Sequence, residues 1–251
     1  MMLYNYHTHT TFCDGVNSPE EMVLEAIRLG MSELGFSGHA HMSFDSSYCM
    51  SLEGTEQYKA VITDLKQKYA DKIKILLGIE QDIYSDDPLE GYDYVIGSVH
   101  YVCKNGQYLT IDYSRAEQER IIAEYYGGDQ YAFVEDYFRA VATVYEKTKC
   151  DIIGHFDLIT KFNEVGEMYD VDHPRYRAAA LAALDALCAT PAAFEINTGA
   201  ISRGYRSTPY PDSFILEELK KRGRRLIFSS DCHNKDYLLL GHDLYLNMTE
   251  Q

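Results

Sequence analysis

About seven times along the chain a short strand-like run gives way to helical sequence, an alternation that predicts a parallel sheet covered by helices. The strand-like runs are residues 4–9, 33–37, 72–80, 94–100, 150–155, 192–197 and 225–230. Apolar residues at helical spacing mark 18–29, 54–69, 112–147, 175–190 and 211–222, with a break at Gly127-Gly128. Ser18 followed by Pro19 reads as a helix start. A chain of 251 residues suits an α/β barrel, so one domain over residues 1–251 is expected.

In such barrels the chemistry sits at the C-terminal ends of the strands. Those ends carry His7 and His9, His39 and His41, Glu80, His100, His155, Glu195 with Asn197, and Asp231 with His233. A single histidine after a strand is usually a core or rim residue bonded to backbone. Repetition of the same residue types at the same end of strand after strand points instead to a shared site. Of the nine histidines, only His173 and His242 fall outside the pattern, and both read as surface residues.

Imidazole and carboxylate without thiolate suit zinc, manganese or iron, and about three ligands per ion leave positions open for water or substrate. That many candidate ligands require two or three ions, and a carboxylate such as Glu80 can bridge a pair. Paired ions of this kind clamp the attacking and leaving oxygens of a hydrolysis. The six cysteines stand singly, with no Cys-x-x-Cys, and read as reduced thiols of a cytoplasmic protein. No apolar run approaches a membrane span, and the first residues show no basic segment followed by an apolar signal core, so a soluble, unexported protein is expected. A formal charge of -16 disfavours nucleic acid as a partner, while a small anionic ligand at bound cations remains compatible. Nothing in the sequence speaks to oligomeric state.

His7-Thr8-His9, the histidine after the second strand, Glu80, His100, His155 and Asp231-Cys232-His233 together resemble the PHP phosphoesterases, named for polymerase and histidinol phosphatase. The resemblance runs from residue 5 to about 235 and implies a distorted (β/α)7 barrel with three divalent ions. Carried over by position, it implies that His7, His9, Glu80 and Asp231 hold the first ion. Glu80, His100 and His155 would hold the second, and Asp14, His39 and His233 the third. This chain departs from the pattern at Gly38-His39, where the family has Asp-His, and at Asn5-Tyr6, where an Asp usually precedes the first histidine pair.

The stretch from Asp151 to Asn163, and Glu195-Ile-Asn-Thr-Gly with Arg203, Arg206 and Tyr210-Pro211, are similar to the stand-alone histidinol phosphatases. That implies hydrolysis of L-histidinol phosphate by a metal-bound hydroxide, in histidine biosynthesis. Arg203, Arg206 and Lys161 are the expected phosphate contacts, since a guanidinium grips two phosphate oxygens at once. His41 is a further candidate for the phosphate, and Asp231 or His233 for protonating the leaving oxygen. The alternatives are a phosphoesterase acting on phosphotyrosine or nucleic-acid diesters, or a metal-binding scaffold without catalysis.

Overall fold

The computed structural model describes residues 3–164 and 168–249. In chain order the strands are β1 (Tyr4–Asn5), β2 (Glu33–Phe36), β3 (Lys74–Asp82), β4 (Tyr94–Ser98), β5 (Tyr101–Lys104), β6 (Gln107–Thr110), β7 (Ile152–Ile153), β8 (Ala193–Asn197) and β9 (Leu226–Ser229). The helices are α1 (Pro19–Arg28), α2 (Leu52–Lys68), α3 (Arg115–Tyr126), α4 (Gln130–Val141), α5 (Val144–Thr148), α6 (Pro174–Cys188), α7 (Gly199–Ser202), α8 (Ser213–Lys221) and α9 (His242–Thr249). Seven strands make one parallel sheet in the order β1-β2-β3-β4-β7-β8-β9. The ends of that order meet. Thr8 bridges Cys232 in parallel, and the His9 N–H donates to the Cys232 carbonyl at 3.0 Å. The result is a nearly closed, distorted (β/α)7 barrel.

Local chemistry sets the element boundaries. Ser18 and Glu21 cap α1 reciprocally with Pro19 at its first turn, and Gly127 ends α3 in the left-handed conformation at φ 60°. The two helices expected over 112–147, joined at Gly127-Gly128, are three, α3 to α5. β1 is only two residues long, so His7 and His9 lie in the extended segment after it. β3 runs two residues past Glu80, to Asp82, which leaves Glu80 inside the strand rather than at its end.

Strand alternation sorts β3 into two rows. Ile75, Leu77 and Ile79 join the large core beneath the helices. Leu76 instead packs in a second, smaller cluster with Tyr94, Ile96, Ile152, Ala193 and Ile227, inside the barrel. On the same row, Gly78 lies under the Tyr94 ring, where an added Cβ would come within 2.3 Å of it. Tyr94 thus fills the middle of the barrel, and its hydroxyl donates to the Tyr6 and Phe36 carbonyls at 2.5 and 3.0 Å. Above that plug, the same inward row brings Glu80 and then Asp82 to the C-terminal end. His242, expected at the surface, is buried, because α9 folds back to lay it against Phe228 and Tyr245. His173 is half-buried, caps α6 by accepting the Arg175 N–H, and stacks on Tyr131.

Candidate metal centre

Glu80 stands at the middle of the C-terminal end of the barrel, buried and ringed by imidazoles. Its Oε2 lies 2.9 Å from His39 Nδ1, 3.1 Å from His7 Nε2 and 3.5 Å from His9 Nε2. Its Oε1 lies 3.0 Å from His155 Nε2 and 3.4 Å from His100 Nε2. Asp231 Oδ1 is 3.2 Å from His9 Nε2 and 3.6 Å from His7 Nε2. Asp14, near the rim, sits 3.1 Å from His233, 3.6 Å from His39 and 3.7 Å from His9. Asp231 adopts φ 46°, in the left-handed region that Asp tolerates better than most residues, and packs so close to Gly199 that a Cβ there would meet its carboxylate at 2.6 Å.

All nine residues expected as ligands come together. Four overlapping groups have donor atoms within 4.8 Å of one another: His9, Asp14, His39 and His233; His7, Glu80 and His155; His7, His9 and Asp231; His39, Glu80 and His100. The partition differs from the expected one: His9 joins the rim group, Glu80 falls in two groups without Asp231, and His100 and His155 separate, with His39 grouped beside Glu80 and His100.

Whether cations fit here is tested by the atoms themselves. His7 Nε2, His9 Nε2 and Glu80 Oε2 are buried, converge on one another, and make no hydrogen bond. Buried polar atoms are normally paired, and nitrogen and carboxylate oxygen facing a common point are suited to divalent ions. The residues fit the group.

The electrostatics agree. Burial pushes Glu80 up, but the His7, His39 and His100 imidazoles outweigh it and hold the carboxyl well below its usual range. Burial likewise opposes ionisation of Asp231, and His7 and Arg203 overcome it. Burial, with His233 and His39 beside it, takes His9 down to about 3, so this ring is neutral and free to act as a ligand. His7 goes the other way. Burial lowers it, yet Glu195, Glu80 and Asp231 raise it well above the ordinary value, so a cation binding at His7 must displace a proton.

Beside the cluster is a cavity of about 400 Å³ lined by ligand candidates and by Asp45, Tyr48, Tyr101, Asp112, Lys161 and Arg203. Lys161 Nζ donates to the Asp112 carbonyl at 2.8 Å and lies 3.3 Å from its carboxylate. Arg203 reaches Asp231 Oδ2 at 3.3 Å. Two expected substrate contacts are not at this cavity. The His41 ring turns to the Met50 carbonyl at 3.1 Å, and the His41 backbone N–H donates to Asp87. Arg206 bonds Thr160 and Thr208, lies over the Tyr210 ring, and lines a separate pocket.

Several residues at the site had no role in the sequence reading. Glu195 and Asn197 were visible only as strand-end residues, and Asp82 was missed. Its signal was its place two residues after Glu80 on the same strand face. Asp45 lies outside the helices and strands, with no periodicity to reveal it, and Asp112, read as the first residue of a helix, lies in the bend before α3.

The barrel and its buried nitrogen and oxygen cluster define a metal-binding α/β-barrel protein. The PHP domain family matches residues 5–199, and the chain belongs to that family. It is 30% identical over 245 residues to a Deinococcus radiodurans protein named "Probable histidinol-phosphatase", covering 92% of this chain and 86% of that one. To the histidinol-phosphatase of Bacillus subtilis it is 25% identical over 266 residues, 96% of this chain and 97% of that one. Among solved structures, a Listeria monocytogenes protein shares the fold with a TM-score of 0.84 at 22% identity, covering 96% of this chain and 99% of that one. The histidinol phosphate phosphatase of Lactococcus lactis, solved with zinc, L-histidinol and phosphate, matches with a TM-score of 0.73 at 21% identity, covering 99% of this chain and 92% of that one.

Proposed function

We propose that this chain is a histidinol-phosphatase, a metal-dependent phosphomonoesterase that hydrolyses L-histidinol phosphate to L-histidinol and phosphate, a step of histidine biosynthesis. The observation that carries the reading is the nine-residue ligand cluster opening onto a cavity with Lys161 and Arg203 in its wall. Near full-length similarity to proteins named for that activity supports it, as does the zinc, histidinol and phosphate bound by the Lactococcus lactis enzyme.

Three ions are assigned: one to His7, His9, Glu80 and Asp231, one to Glu80, His100 and His155, and one to Asp14, His39 and His233. Zinc, manganese and iron all suit this donor set. Divalent ions held there supply activated water and Lewis-acid charge for in-line phosphoryl transfer. Arg203 and Lys161 bind the phosphate, since their positive charges border the cavity and their present partners, Asp231 and Asp112, can be shared with a ligand. Of the two candidates for protonating the leaving oxygen, Asp231 is held ionised by His7 and Arg203, and His233, assigned to an ion, has its Nδ1 3.1 Å from the Asp231 carbonyl, so neither side chain has a proton to spare while the ions are bound.

The same cavity holds a carboxylate suited to the leaving group. Asp45 accepts from Ser47 and from the Tyr101 hydroxyl at 2.7 Å, and among the described residues it makes no ion pair. A carboxylate free of a cationic partner, lining the same cavity as Lys161 and Arg203, suits an ester with phosphate at one end and cationic nitrogen at the other. The acidic net charge of the chain weighs against nucleic-acid diesters.

The test is phosphate release by manganese- or zinc-reconstituted protein from L-histidinol phosphate, a phosphodiester and phosphotyrosine. A kcat/KM above about 10⁴ M⁻¹s⁻¹ on histidinol phosphate, with the others far slower, is expected. Preference for either of the other two would replace the substrate.

A further inference from the structure

We propose that Glu195 and Asp82 are positioning residues of the metal centre, each fixing which nitrogen of one imidazole faces the ions. The inference rests on the metal-dependent reading above, but not on the identity of the substrate.

The two carboxylates make the same pair of contacts on opposite sides of the cluster. Glu195 Oε1 lies 2.6 Å from His7 Nδ1, and its Oε2 accepts the His155 backbone N–H at 2.9 Å and the Asn197 side-chain amide at 3.0 Å. Asp82 Oδ2 lies 3.1 Å from His100 Nδ1 and accepts the His100 backbone N–H at 2.8 Å, while its Oδ1 accepts the Tyr84 N–H at 2.9 Å. Both carboxylates are buried. Among the described residues, neither belongs to any group able to hold a metal ion.

An ionised carboxylate only accepts, so the nitrogen opposite it must carry a proton. Nδ1 of His7 and of His100 is therefore the donor in the neutral ring, and Nε2 keeps its lone pair. In both rings Nε2 is the nitrogen that faces Glu80, at 3.1 and 3.4 Å. The carboxylates thus select the ligating tautomer as well as the ring orientation. Glu195 does more, because the His155 backbone hangs on its other oxygen and Asn197 links it to Asp231 Oδ2 at 3.4 Å. One side chain on β8 aligns groups contributed from β1, β7 and β9.

Glu195→Gln separates this role from simple packing. The amide has the same shape, but only one of its two ends can accept. If its oxygen keeps the His155 N–H and Asn197, its NH₂ faces His7 Nδ1, which must then give up its proton. His7 becomes protonated on Nε2, where the metal should bind. Asp82→Asn imposes the same conflict on His100.

The experiment is zinc titration of the metal-stripped protein for wild type, E195Q and D82N, with proton NMR of the zinc-loaded forms and melting temperatures in chelator. Each variant is expected to bind at least one zinc about 10- to 100-fold more weakly. Each should also lose one downfield Nδ1–H signal, while melting in chelator close to wild type. Wild-type zinc affinity in both variants would overturn the proposal. So would weakened binding with both Nδ1–H signals retained, since that is what a merely structural loss would produce. Because zinc binding is read without substrate, a protein that binds zinc normally but ignores histidinol phosphate would count against the substrate reading alone.

Discussion

The two ends of the barrel interior are built by opposite rules. At the N-terminal end, Tyr94, Ile96, Ile152, Ala193 and Ile227 fill the space, and the Tyr94 hydroxyl, the polar atom at the centre, donates to two carbonyls. At the C-terminal end, six histidines and three carboxylates crowd together, and three of their buried atoms have no hydrogen-bond partner. The first arrangement is complete as protein. The second becomes complete when cations are added, and the strand rows that create it are the same ones that build the plug below. On β3 the change from Leu76 and Gly78 to Glu80 and Asp82 takes place within one strand. The lower end supplies rigidity, and the upper end spends it holding charges where they would not otherwise stay.

The sharpest way to break this contrast is at Glu80, which faces five imidazoles. Glu80→Gln should lower phosphatase activity on the order of 10³-fold or more, with metal content falling in parallel by elemental analysis. Chelation should abolish activity, and manganese or zinc should restore it. Activity that survives exhaustive chelation would show that the upper end needs no cation. Next in size is Arg203→Ala. Loss of a charged contact to phosphate is worth about 1.5–3 kcal/mol, or roughly 10- to 150-fold, and should appear chiefly as a raised KM with the metal content intact. Unchanged kinetics would leave Arg203 as a partner of Asp231 only.

The lower end should respond in stability rather than in chemistry. Gly78→Ala drives a methyl into the Tyr94 ring, and overpacking of this kind costs about 1–3 kcal/mol. Urea unfolding should show that loss, while kcat/KM per folded molecule stays within about twofold. If the smaller Tyr94→Leu side chain relieves the clash, the double variant should be more stable than the sum of the two single changes requires. Additivity would mean that Gly78 and Tyr94 are not coupled through contact.

Much of the upper end was legible because strand position and residue type are both written in the sequence. Strand-like runs ending in or followed by His7, His9, His39, Glu80, His100, His155, Asp231 and His233 put those candidates at one end of the barrel, whereas Asp14, in the loop after β1, came only from the family resemblance. What alternation cannot encode is where a loop side chain turns. His41 is two residues from His39, yet Asp87 and the Met50 carbonyl take it away from the cavity. Arg206 is three residues from Arg203, yet it lies over Tyr210 in another pocket. The β5-β6 hairpin was overlooked although its turn, Asn105-Gly106, carries the usual two-residue signal, and both residues have positive φ, 53° and 77°. It brings Tyr101 to Asp45, so that part of the cavity wall was hidden with it.

His242 sharpens the comparison from the other side, because it is a buried histidine without the carboxylate surroundings of the metal cluster. Burial lowers its pKa below the ordinary value, and Asp243 only partly offsets that. Its ring lies edge-on to Phe228 at 5.0 Å, so the neutral form is the one that packs. For a base whose folded pKa is depressed, the unfolded chain takes up the proton first. The associated stability is whole above the unfolded value of about 6.5 and is lost as pH falls through the folded value. Wild-type protein should therefore lose melting temperature between pH 7.5 and pH 5, and His242→Leu should lose measurably less over the same range. The difference should be the same with and without bound metal, because α9 packs on β9 outside the ligand cluster. If the pH dependence of the two proteins is identical, His242 is not the group being titrated. If their difference depends on metal, α9 is coupled to the charged end rather than to the packed one.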